Sequence, residues 1–116
     1  VPKTEAGTEA RVKSNMKFGQ QDQHYMVVIE SAESEFLHSP LSSLNLIVSD
    51  MIEKKMTDVI FTFKNIPSAD VVNQLFLFNK FYRDKTNRIP KISVKGIDTI
   101  FITILKRMEL NITALI

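Results

Sequence analysis

Apolar and polar positions follow two rhythms along this chain, and they meet most sharply at residues 59–82. Val59-Ile60-Phe61-Thr62-Phe63 is a run of β-branched and aromatic residues too apolar for a surface, which predicts a central strand covered on both faces. A short loop, residues 64–68, follows. From Asp70 onward the apolar positions Val71/Val72, Leu75, Phe78 and Tyr82 recur at steps of three and four, the spacing of an amphipathic helix. The first turn of a helix leaves N–H groups unpaired and carries a partial positive charge, so this strand–loop–helix junction is the natural working surface.

Residues 1–10, VPKTEAGTEA, are small and charged with no apolar period, and predict a flexible tail ahead of one domain at 11–116. Val12, Met16 and Phe18 alternate with Arg11, Lys13, Asn15 and Lys17, which predicts an edge strand. Residues 19–23 read as a polar connection and 25–30, YMVVIE, as a second strand, so the two make a hairpin. Ser39-Pro40 predicts a helix start, with Ser39 as N-cap, and the helix runs to about Lys54. Its apolar stripe is Leu41, Leu44, Val48, Met51 and Ile52, with Lys54-Lys55 at the end that favours cations.

Beyond the second helix, the charged run Arg83-Asp84-Lys85-Thr86-Asn87-Arg88 reads as a solvated helix end, and Ile89-Pro90 breaks the pattern. Residues 91–95 alternate as a strand and Gly96 marks a turn. A third helix, 97–108, places Ile97, Ile100, Phe101, Ile104, Leu105 and Met108 on one buried face, so that Ile104→Asp would bury an unpaired charge. Residues 111–116, NITALI, form a last strand or a docked tail. The order β-β-α-β-α-β-α-β predicts an α/β domain with a mainly parallel sheet, right-handed crossovers and an N-terminal hairpin.

Composition narrows the chemistry. A chain of 116 residues suits one domain. With no cysteine there is no disulfide scaffold, thiol nucleophile or Cys-based metal site. A net charge of +2 without a long basic block argues against a nucleic-acid partner. No apolar run reaches the roughly 18 residues of a membrane span, and no signal peptide is visible, so a cytoplasmic protein is expected. The start at Val1 rather than Met leaves a processed or trimmed start open. His24 and His38 have no acid at ligand spacing and read as solvated or capping residues, so no metal and no cofactor is expected. Gly7, Gly19 and Gly96 never cluster into a phosphate cradle, nor do they flank a nucleophile as a sharp catalytic turn needs. The sequon Asn111-Ile112-Thr113 reads as coincidence.

In order, spacing and length, residues 11–116 resemble a STAS domain, the family of sulphate-transporter C-terminal domains and bacterial anti-sigma-factor antagonists. Members of that family carry an apolar strand ending in Asp, then Asp-Ser-Ser-Gly or Asp-Ser-Thr-Gly opening the next helix, whose Ser or Thr a partner kinase phosphorylates. Here the strand ends at Thr62, the loop is 63–69, and the motif reads Asp70-Val71-Val72-Asn73, keeping only the Asp. The family's closing helix, Val-x-x-x-Leu-x-x-x-Gly-Leu, is similar to residues 100–110, with Glu109 where Gly is usual.

Valine has no hydroxyl, so Val71 and Val72 cannot accept phosphate, and Ser68 is the sole displaced candidate, for which a cap is the plainer role. Asp70 reads as the N-cap of the second helix. Phe76 and Phe81 fall off the face of Leu75, Phe78 and Tyr82, and either burial or an exposed docking ridge accounts for them. The reading is a non-catalytic regulatory or scaffolding domain that binds a protein partner through Ser68, Asp70, Val71, Val72, Asn73, Phe76 and Phe81. The resemblance implies as partner a regulatory kinase, another STAS protein or a transporter ATPase, with homo-oligomers allowed. The alternatives are an accessory STAS subunit of a membrane transporter assembly contacting its ATPase, or a small-ligand or lipid-binding domain; a small hydrolase or transferase ranks below both.

Overall fold

Every described strand of this protein joins one sheet, and the sheet runs in chain order. The computed structural model describes residues 11–13, 16–31, 37 and 40–115. Its elements are β1 (Arg11–Lys13), β2 (Met16–Gln21), β3 (His24–Ile29), α1 (Pro40–Glu53), β4 (Asp58–Phe63), α2 (Val72–Thr86), β5 (Lys91–Lys95), α3 (Thr99–Arg107) and β6 (Asn111–Ala114). The strand order is β1-β2-β3-β4-β5-β6. The first three strands pair antiparallel and the rest pair parallel. The expected α/β alternation is therefore present, with one refinement at the start. The single edge strand expected from residue 11 is two strands, β1 and β2, folded on each other with Arg11 opposite Phe18. The polar stretch 19–21, expected to be a connection, extends β2 instead, and Gln21 pairs with His24 across a two-residue turn at Asp22 and Gln23. Backbone pairing needs no apolar side chains, so the pattern alone stops the strand too early.

Each parallel connection steps to the next strand in the same direction, and right-handed crossovers then place all three helices over one face of the sheet. The core lies between. Tyr25, Val59, Ile92 and Ile112 form one buried row across four strands, and Val27, Phe61 and Val94 form the next. Phe61 meets Phe78 of α2 edge-on with centroids 5.2 Å apart. The opposite face holds Met26, Val28, Ile60, Thr62 and Ser93, all half-buried. β4 is central in order, as expected, but it is covered on one face rather than two.

The buried face of α2 is the one its apolar spacing predicts, whereas α1 and α3 each bury only part of the expected stripe. In α1 the buried positions are Ser43, Leu44, Ile47, Val48, Asp50 and Met51, whereas Leu41 and Ile52 face outward. Asp50 is the unexpected member. Its carboxylate accepts from the Tyr25 hydroxyl at 2.5 Å and from the Lys54 ammonium at 2.6 Å, and its side chain is only 4% exposed. This couples the helix to β3 by charge-assisted hydrogen bonds, the form in which a carboxylate tolerates burial. In α2, Leu75, Phe78 and Tyr82 are buried as their spacing predicts.

In α3 the expected single face is divided: Leu105 and Ile102 are buried, Ile97 and Phe101 are half-buried, and Ile100, Ile104 and Met108 are exposed. Ile104→Asp therefore buries no charge. Apolar residues lie on most of this helix's circumference, so their spacing does not select which arc meets the sheet. The charged run at 83–88 is solvated apart from half-buried Thr86, as expected. Residues 1–10, His38, Ser39 and Ile116 lie outside the described residues, so the tail, the cap at Ser39 and the end of the last strand carry no structural account.

Tyr82 anchors the far end of α2. Its hydroxyl donates to the Met56 carbonyl at 2.8 Å, and burial pushes the phenol above its ordinary value of about 10, with Asp58 acting the same way and Arg88 opposing. The folded state thus holds this proton more tightly than the unfolded chain. The stability it contributes is complete below about pH 10 and is lost as pH rises through the raised folded value. Urea melts at pH 8 and at pH 11 are expected to show the gap between the parent and a Tyr82→Phe protein narrowing at the higher pH; a constant gap would rule out the linkage.

Candidate functional site

The carboxyl ends of β4 and β5 bring two loops side by side. After Phe63 the chain turns through Asn65, which takes a left-handed conformation at φ 56°, buries Ile66, and forms a single 3-10 turn over Ser68–Asp70. The loop after β5 bends at Gly96, whose φ is +86°. A Cβ at Gly96 would lie 2.1 Å from the Phe63 carbonyl oxygen, so the second loop passes directly over the end of β4. Ser68 closes the arrangement: its Oγ accepts the Asp98 N–H at 2.9 Å, joining the start of α3 to the start of α2. Gly96→Ala is expected to cost about 1–3 kcal/mol for the backbone conformation alone, plus the displacement of Phe63. A thermal midpoint unchanged to within a degree would show that the loops are not packed this way.

The expected partner-binding residues divide on this framework. Ser68 is neither the cap of α2 nor a free hydroxyl, because its oxygen serves α3 instead. Asp70 is exposed at the end of the 3-10 turn and does not cap α2: the N-cap is Val71, with no side-chain cap hydrogen bond. The short 3-10 turn over Ser68–Asp70 moves the N-cap one residue on, from Asp70 to Val71, and that takes Asp70 out of the capping position. Val71 is fully buried, while Val72 is half-buried and Asn73 exposed. Phe76 and Phe81 are both half-buried against the core. Five residues of helix set them about 140° apart, so they form no single ridge.

The exposed apolar surface lies elsewhere, on α3. Ile100, Ile104 and Met108 are 64%, 43% and 41% exposed and follow one another at steps of four along the helix. Ile89, which leads out of α2, adds a fourth outward apolar side chain. Spacing alone gave no warning of this, because the same residues also fit a buried face. What was readable is their number: α3 carries more apolar side chains than one stripe can bury.

Among the described residues no group of three or more His, Asp or Glu side chains is placed to hold a metal ion. His24 is half-buried at the start of β3. No described helix is long and apolar enough to cross a membrane. Comparison with known proteins returned no significant match to any family model, curated protein or solved structure.

Proposed function

We propose that this is a non-catalytic regulatory domain that works by binding another protein, and that it docks through α3. The observation that carries the reading is the exposed row Ile100, Ile104 and Met108, since contiguous apolar side chains on a helix surface mark interfaces. The loops tied by Ser68 and Gly96 hold the start of that helix in place, so the surface is presented by a fixed frame.

The resemblance to STAS domains gives the setting: a cytoplasmic signalling assembly whose partner is a kinase, another STAS protein or a transporter ATPase. Glu109 supports it. It stands at φ 71° in the turn that ends α3, where Glu109 N–H bonds Lys106 O and Leu110 N–H bonds Leu105 O. That is the left-handed position glycine fills most easily, and the family pattern has Gly there. A phosphorylation switch at the start of α2 is not part of this proposal, because Val71 and Val72 offer no acceptor and the Ser68 oxygen is engaged.

The test replaces Ile100 and Ile104 together by lysine. Both side chains are exposed, so the thermal midpoint is expected to stay close to that of the parent, while self-association by light scattering, or capture of a partner identified with the parent protein, is lost. Unchanged association by a normally folded double variant would remove α3 as the docking surface.

A further inference from the structure

The docking face of α3 changes character along its length. Ile100 and Ile104 lead it, with exposed Thr99 and Thr103 beside them and no charge on any of these. The carboxyl-terminal end is cationic: Lys106 and Arg107 occupy the last turn, both exposed. Arg107 lies seven residues beyond Ile100 and three beyond Ile104, spacings that put it on the same face as the apolar row. Met108 shares the shallow depression between α3 and α2 with exposed Lys80, Arg83 and Asp84. Lys80 is drawn to Asp84 at 3.6 Å, whereas Arg83, Lys106 and Arg107 have no ion-pair partner among the described residues. Between Asp98 and Glu109 α3 carries no acid of its own. The apolar row therefore ends among uncommitted cations.

We propose that the protein docking on α3 does so with an acidic amphipathic helix, apolar against Ile100, Ile104 and Met108 and carrying carboxylates against Arg107, Lys106 and Arg83. This rests on the docking role of α3 and adds the chemistry of the occupant. Side chains at steps of four form a ridge that fits the groove of another helix. Covering the adjoining cations with apolar groups alone would strand them desolvated and unpaired, whereas a carboxylate meets the arginine fork with two parallel hydrogen bonds. A second copy offers no acid between Asp98 and Glu109 of its own α3 to match them. An anionic membrane is the poorer match, because helices that lie on lipid carry cations along the polar flank, and here Thr99 and Thr103 occupy the first half of that flank.

The purified chain, labelled for amide NMR, is titrated with helical peptides that share leucines at i, i+3, i+4 and i+7 and carry glutamate, glutamine or lysine beside them at one end. Vesicles of phosphatidylglycerol and phosphatidylcholine are a separate titrant. The glutamate peptide is expected to give saturable shifts over residues 99–109 and around Arg83. The glutamine peptide is expected to bind at least about tenfold more weakly, and the lysine peptide not to bind. Arg83 and Arg107 are exposed, so a protein carrying both Arg83→Glu and Arg107→Glu is expected to keep the fold and to prefer the lysine peptide. The acidic partner is ruled out if glutamine binds as tightly as glutamate, if the charge-reversed protein keeps the parent's order, if only the vesicles bind, or if no peptide gives saturable shifts below about 10 mM. None of these outcomes removes α3 as the docking surface, which stands or falls with the association of the Ile100→Lys, Ile104→Lys double variant.

Discussion

A Leu105→Asp protein is expected to be unfolded at room temperature, and an Ile104→Asp protein to melt close to the parent. The two positions are adjacent in α3, but Leu105 is fully buried and Ile104 is 43% exposed. Emptying a buried leucine site costs about 2–5 kcal/mol before any charge is introduced. An unpaired carboxylate in the same place adds its desolvation, and the sum rivals the 5–15 kcal/mol that holds an ordinary domain together. At Ile104 the carboxylate stays in water, and surface changes move stability by about 0.5 kcal/mol or less. Circular dichroism melts of the two proteins decide the matter. Equal losses, or the larger loss at Ile104, would mean that α3 is rotated from the orientation described.

Asp50→Ala is expected to destabilise the domain by about 3–5 kcal/mol, the range for breaking a buried charged pair. The substitution leaves the Tyr25 hydroxyl, on a fully buried side chain, without the carboxylate that accepts its proton. Lys54 suffers less, because its side chain is 20% exposed and reaches water. Asp50→Asn keeps an acceptor for Tyr25 and is expected to cost distinctly less than Asp50→Ala. Tyr25→Phe removes one charge-assisted hydrogen bond, about 1.5–3 kcal/mol. Urea unfolding should rank the three proteins with Asp50→Ala lowest. A loss below about 1 kcal/mol for Asp50→Ala would show that the carboxylate does not hold α1 to β3.

The spacing of apolar side chains puts Val71 on the buried face of α2, where it lies, but puts Ile104 on a buried face of α3, where it is exposed. Spacing reports that a segment has an apolar arc; it does not report the phase of that arc when apolar residues occupy most of the turn. Phe76 and Phe81 show the same limit, since each is half-covered by the core and neither the burial reading nor the ridge reading describes them alone.

Local period, strand propensity and the placing of proline and glycine are written in the chain, because each acts within a few residues. They are enough to establish an α/β domain in the observed order, the limits of β5, the buried face of α2 and the solvated end at 83–88. The tertiary structure alone decided which arcs of α1 and α3 are covered, that Asp50 is buried beside Tyr25, and that Ser68 bonds a backbone group 30 residues away. It also decided that β4 has one covered face, and that Arg83 shares a surface depression with Met108. Each of these depends on which element lies against which, and that is set by the register of the sheet and the hand of its crossovers rather than by any local stretch of residues.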